Sequence, residues 1–186
     1  MIKSRYIQQI PGQRTSINDK NEHMQHNVIY IMGVSGSGKT TIGQQLSIRT
    51  GYPFYDADNF HTQENKKKMN AGIPLTDEDR WPWLENIHDF VVKEIAAGSI
   101  ILVCSALKQA YRERLGAAIE ENCRWVFLQG DYNTILERME SRRDHYMPPT
   151  LLRSQFDALE VPGNAICVDI KQSPDAIIDD IISKIL

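Results

Sequence analysis

Residues 28–46 read VIYIMGVSGSGKTTIGQQL. Five apolar residues run into a glycine-rich loop, and the loop runs into Lys39, Thr40 and a helical pattern. Gly33, Val34, Ser35, Gly36, Ser37, Gly38, Lys39 and Thr40 fit the phosphate-loop pattern G-x-x-x-x-G-K followed by Ser or Thr. The chemistry explains the residue types. Glycines let backbone N–H groups curl around anionic oxygens without a Cβ in the way. The following helix offers free N–H groups and the positive end of its dipole. Lys39 reaches toward the outer phosphates, and the Thr40 hydroxyl is a ligand for Mg2+. A glycine-rich turn that binds nothing can match the same pattern, but the strand before and the helix after are the context a phosphate site requires. The expected nucleotide contacts are these eight residues and Thr41.

Outward from the loop, short apolar runs alternate with helical patterns. Strands are expected at Val28–Met32, Pro53–Asp56, Ile100–Cys104, Trp125–Leu128 and Ala165–Asp169. Helices are expected over Thr40–Thr50, Asp79–Ala97, Leu107–Ile119, Tyr132–Arg142, Pro149–Leu159 and Pro174–Ile185. Gly51 suits the end of the first, and Thr76-x-x-Asp79 reads as a capping box. This alternation predicts an α/β fold with a parallel five-stranded sheet covered on both faces, and ligands at the carboxyl ends of the strands.

The 186 residues suit one domain. Residues 1–26 are polar and without period, and read as a flexible extension before a domain at 27–186. A net charge of −3 gives no general basic footprint for nucleic acid or an anionic membrane. No apolar run approaches the ~18 residues of a membrane span. Three cysteines without a CxxC pair argue for a reducing compartment, so the cytoplasm is expected. Cys104 and Cys167 sit in apolar runs and read as buried small hydrophobes.

The fate of the bound phosphate narrows next. A guanine-nucleotide switch would carry DxxG and NKxD, and neither is present. A motor or transporter ATPase would end a later strand in Asp, but Ile100–Cys104 runs into Ser105. The carboxylates instead close the second strand, as Asp56 and Asp58. That placement suits a kinase whose small acceptor lies beside the terminal phosphate.

At this point the sequence resembles the gluconate kinases (gluconokinases), within the wider group of shikimate and nucleoside monophosphate kinases. The resemblance runs from about Ile29 to the C-terminus. It rests on GVSGSGKTTIG, Asp56 to His61, Asn65, Lys68-Met69 and Gly72 to Leu84. Further blocks are Cys104 to Lys108, Tyr111-Arg112, Arg142 to Met147 and Ser154 to Pro162. The phosphate loop is widely shared, whereas CSALK, DRxPWL and SQFxxLExP are far more specific. Ala57 stands where family members often have Gly, and Thr62 where they often have Pro. Neither change removes a reactive group. The resemblance implies a three-layer kinase fold with a mobile lid at about 138–152, ATP and Mg2+ as donor and cofactor, and D-gluconate as acceptor. Several such kinases form dimers, so a homodimer is expected by resemblance alone.

The site residues follow. Asp58 is the candidate to orient the acceptor hydroxyl and receive its proton, while Asp56 either holds Mg2+ waters or caps the next helix. His61, Asn65 and Lys68 would share one face of a helix, suiting a polyhydroxylated acid or simply forming a solvated face. Arg80 is the natural bidentate partner of the acid's carboxylate, or pairs with Asp77, Glu78 and Asp79. Trp81 and Trp83 read as packing. Ser105 stands at a strand end, with Lys108 and Arg112 following at helical spacing, where they either bind substrate or form a basic helix start. In the lid, Arg138 is assigned to ATP and Arg142 to catalysis. Shikimate kinase, a nucleoside monophosphate kinase and a regulator that has lost transfer are the competing readings.

Overall fold

The computed structural model describes residues 26–141 and 149–185. In chain order the elements are β1 (Val28–Met32), α1 (Lys39–Thr50), β2 (Phe54–Asp56), α2 (Gln63–Asn70), α3 (Asp77–Ile95) and β3 (Ile100–Val103). They continue with α4 (Gln109–Gly116), β4 (Cys123–Gln129), α5 (Tyr132–Glu140), α6 (Pro149–Asp157), β5 (Ile166–Asp169) and α7 (Pro174–Ile185). Single 3₁₀ turns lie at Ala57–Phe60 and Glu120–Asn122.

The five strands form one parallel sheet in the order β2-β3-β1-β4-β5. β1 is central, with Val28 level with Ile100 on one side and Cys123 on the other. All five of its residues are buried, because helices cover both faces. Strand alternation divides them. Ile29 and Ile31 join a core with Ile42 and Leu46 of α1, Ile135 of α5, Leu152 of α6 and Ile177, Ile178 and Ile181 of α7. Val28, Tyr30 and Met32 join a second core with Trp83, Leu84, Ile87 and Val91 of α3 and Leu115 of α4. Each large apolar side chain so buried contributes about 1.5–3 kcal/mol of transfer free energy. The chain moves outward from β1 to β2, returns to β3, then crosses to β4. The crevice at this reversal opens at the carboxyl ends of β1 and β3, where open α/β sheets bind ligands.

The expected strands are all present, trimmed or extended by a residue or two. α3 starts at Asp77 rather than Asp79 because the capping box sets its start. Thr76 Oγ1 accepts the Asp79 N–H at 3.3 Å, and the Asp79 carboxylate accepts the Thr76 N–H at 3.0 Å. α4 is shorter than Leu107–Ile119, since Lys108 before it is extended at ψ 150 and Ala117 after it leaves helical geometry at ψ 126, followed by Ala118 at φ 61. α2 is not among the helices expected from apolar periodicity, although the spacing of Asn65 and Lys68 suits it. Only Asn65 of it is buried, so it carries no apolar stripe to betray it. His61 precedes this helix rather than joining it, and Thr62 is its N-cap. Cys104 is buried as expected, but Cys167 is exposed. β5 is an edge strand, and its alternate side chains face outward.

Candidate active site

The loop after β1 takes its shape from its glycines. Gly36 has φ +82, and a Cβ there would stand 2.7 Å from Met139 Cγ of α5. Gly38 has φ +100 and forms the entry to α1. Within the loop, Ser37 is buried and its N–H donates to the Val34 carbonyl at 3.2 Å. Lys39 Nζ donates to the carbonyls of Gly33 and Val34, both at 3.0 Å. Burial lowers the Lys39 pKa, and the charges of Asp58, Cys104 and Asp56 act against that shift. Thr40 and Thr41 are exposed on the first turn of α1.

Ser35, Gly36, Lys39 and Thr40 line a cavity of about 450 Å³, and its other wall includes Asp56, Asp58, His61, Arg80 and Ser105. Asp56 closes β2 and accepts the Asp58 N–H at 3.0 Å, so one aspartate holds the turn that presents the other. Burial raises the Asp56 pKa, and the Asp58 charge adds to this against the bond from the Asp58 N–H. The Asp58 carboxylate is 78% exposed and stands 3.8 Å from His61 Nε2.

His61 is buried and stacked on Trp83, with ring centroids 4.3 Å apart and planes 11° from parallel. Burial, helped by the Arg80 and Lys66 charges, depresses its pKa to about 4. The imidazole is therefore neutral at pH 7. Trp83 is anchored by its own Nε1–H to the Ala57 carbonyl at 2.8 Å. Arg80 donates to the Leu75 carbonyl and to the Tyr111 hydroxyl at 3.5 Å, and lies 5.7 Å from the centroid of the Tyr111 ring. Asp77 accepts two bonds from Lys108 at 2.8 Å and one from Tyr111, joining α3 to α4 behind the guanidinium. Ser105 follows β3, and its carbonyl accepts the Gly33 N–H at 3.4 Å. The next residue, Ala106, is buried at φ 42, a left-handed conformation uncommon outside glycine. The arrangement can hold a polyphosphate on one wall and a small hydroxylated anion on the other.

A model of the shikimate kinase family matches residues 35–185. The thermosensitive gluconokinase of Escherichia coli is 47% identical over 135 residues, covering 71% of this chain and 71% of that protein. A probable gluconokinase of Rattus norvegicus is 44% identical over 154 residues, covering 73% of this chain and 83% of that one. The crystal structure of a gluconokinase from Sinorhizobium meliloti superposes with a TM-score of 0.78 at 38% identity, covering 86% of this chain and 91% of that one. The chain belongs to the gluconokinase family. Gluconokinase relatives match across most of the chain, so the family's broader shikimate kinase signature describes the shared fold, and the kinase fold implies use of a nucleotide.

Not every expected site residue meets in this gluconokinase cavity. Lys68 instead pairs with Asp79 at 2.7 and 2.8 Å, where it buttresses the cap of α3. Arg112 turns away to the carbonyls of Ala106 and Leu107, both at 3.0 Å, beside a separate surface pocket. Arg138 donates to the Ile170 carbonyl at 2.6 Å and does not line the cavity. Arg142 lies outside the described residues. Trp83 packs as expected but also lines the cavity, while Trp81 is partly exposed, edge-on to Tyr111. The side chains that sequence reasoning left without a role are Tyr111, Met139 and Gln155. Tyr111 and Gln155 were signalled only by the family-specific blocks and Met139 by nothing, since no local spacing connects them to the loop.

Proposed function

We propose that the protein transfers the γ-phosphoryl group of ATP to the 6-hydroxyl of D-gluconate, giving 6-phospho-D-gluconate and ADP. The observation that carries the reading is the one cavity in which Lys39 and Thr40 face Asp58, His61 and Arg80. Donor and acceptor subsites share a single space, as direct transfer requires. The backbone N–H groups of the loop and the Lys39 ammonium bind the phosphates. Asp58 accepts the hydrogen bond of the acceptor hydroxyl and takes its proton as the new O–P bond forms and the bond to the ADP oxygen breaks. Phosphoryl transfer needs alignment and charge stabilisation more than a strong base, so an exposed carboxylate suffices. Arg80 takes the acid's carboxylate, and neutral His61 offers a hydrogen bond to a hydroxyl without adding charge.

The residues present also fit Mg2+. The exposed Thr40 hydroxyl and the Asp56 carboxylate are oxygen donors lining the same cavity. A pair of donors suits an ion that keeps several waters and takes phosphate oxygens. When bound, Mg2+ supplies charge neutralisation across the phosphates. Among the described residues no helix is long and apolar enough to cross a membrane. The three free thiols suit a cytoplasmic setting.

The test is ADP release with ATP and Mg2+ over D-gluconate, shikimate, AMP, glucose and no acceptor. Turnover on gluconate alone is expected. Preferred turnover on shikimate or AMP overturns the acceptor assignment, and none on any acceptor, with ATP still bound, favours a regulator.

A further inference from the structure

Gln155 belongs to the SQFxxLExP block, to which the reaction above gives no part. It sits on α6, far along the chain from the phosphate loop, yet both ends of its carboxamide meet that loop at one residue. Gln155 Oε1 accepts the Ser35 N–H at 2.7 Å, and Gln155 Nε2 donates to Ser35 Oγ at 3.0 Å. The side chain is half-buried and lines the same cavity as Lys39 and Thr40.

Other contacts also hold the loop, among them the Gly33 N–H to the Ser105 carbonyl at 3.4 Å. Lys39 ties the carbonyls of Gly33 and Val34, and the Ser37 N–H ties Val34 again. The two bonds to the Val34 carbonyl hold the oxygen edge of the planar Val34–Ser35 peptide, and Gln155 holds its N–H edge. The following residue is Gly36, at φ +82, whose backbone has the widest freedom to move. A tie on the second edge of that peptide completes its fixing beside the glycine, removing conformations that the bound state does not use. Gly36 itself is seated against Met139 and Ile135 of α5. Adjacent loop residues thus rest on two different helices, Ser35 on α6 and Gly36 on α5.

We propose that Gln155 is a positioning residue for phosphoryl transfer, its carboxamide fixing the Ser35 peptide and with it the shape of the phosphate-binding loop. The proposal rests on the kinase reading above, but not on which acceptor is used.

The test compares Gln155→Met, similar in length without the polar atoms, with Gln155→Asn, which keeps the carboxamide but cannot reach. Steady-state kinetics, calorimetric affinity for Mg2+·ATP and melting temperature are measured for each. A small displacement of reacting groups costs up to ~10²-fold, so both variants are expected to lose about 10-fold or more in kcat. ATP is expected to bind about 3–10-fold more weakly, with the gluconate KM within about twofold of wild type and the melting temperature nearly unchanged. Ser35→Ala removes only the hydroxyl contact and is expected to cost about threefold in kcat. The double variant should match Gln155→Met alone, since both side chains serve one interaction. Wild-type kcat and ATP affinity in either Gln155 variant overturn the proposal. So does a rise confined to the gluconate KM, which makes Gln155 an acceptor contact, or a loss that multiplies with Ser35→Ala. A loss of kcat that merely follows a collapse in melting temperature also overturns it. If the wild-type protein turns over no gluconate, the acceptor reading fails while the ATP-affinity arm still decides the role of Gln155.

Discussion

The two walls of the cavity are made by different means. The donor wall is built on one continuous stretch, Gly33 to Thr40, shaped by backbone amides and glycine conformations and backed by Met139 of α5 and Gln155 of α6. The acceptor wall is assembled from the end of β2, the turn after it, the start of α3 and the end of β3. Its side chains hold their places through partners distant in sequence, such as Trp83 to Ala57 and Arg80 to Tyr111. A phosphate is recognised by a generic curl of N–H groups, so local sequence is enough to reveal the site. A particular sugar acid is recognised by side chains whose directions only the tertiary fold decides.

If the walls divide the work in this way, substitutions on each should fail differently. Lys39→Ala should give the largest effect, a fall in turnover of about 10³-fold in a folded protein, through loss of charge at the phosphates. Near-wild-type turnover would remove Lys39 from the donor wall. Arg80→Lys keeps the charge but loses the planar fork, so the gluconate KM should rise about 10-fold with the ATP KM unchanged. A matching rise in both constants would erase the distinction between the walls.

His61 gives a pH test of the acceptor wall. Its pKa falls from the ordinary value of 6.5 to about 4 in the folded protein. Between those values the native state binds fewer protons than the unfolded chain, so stability rises with pH. The contribution is fully present above about 6.5 and is lost as pH falls through about 4. Urea midpoints at pH 7, 5.5 and 4.5 should fall progressively, and His61→Gln should flatten that fall. An unchanged slope in the variant would show that His61 is not held neutral. The smallest effect is expected at Lys68. Because its ammonium pairs with Asp79, Lys68→Ala should leave the gluconate KM within about twofold and lower the melting temperature only slightly. A large rise in KM would return Lys68 to the acceptor wall.

The same contrast explains what could be read from the sequence. The five strands, the sheet class, the phosphate loop and the Thr76 capping box were legible because each is a local pattern with a local cause. α2 was not, because its buried content is a single asparagine. Lys68, Arg112 and Arg138 had the right chemistry for a phosphate or carboxylate site, but their partners are Asp79, the carbonyls after β3 and the Ile170 carbonyl. No spacing rule reveals those pairings. Cys167 looked like its buried neighbours because an edge strand and a central strand share the same apolar run. Gln155 was visible only as part of a family block, since its contact with Ser35 joins residues far apart in the chain.

The central claim is that Asp58 stands where the acceptor hydroxyl meets the transferred phosphate. The most direct measurement is the single-turnover rate of Asp58→Asn with saturating gluconate, alongside its affinity for Mg2+·ATP. The account predicts a rate lowered by about 10²-fold or more with ATP affinity retained. A variant that binds ATP and transfers at the wild-type rate would contradict it.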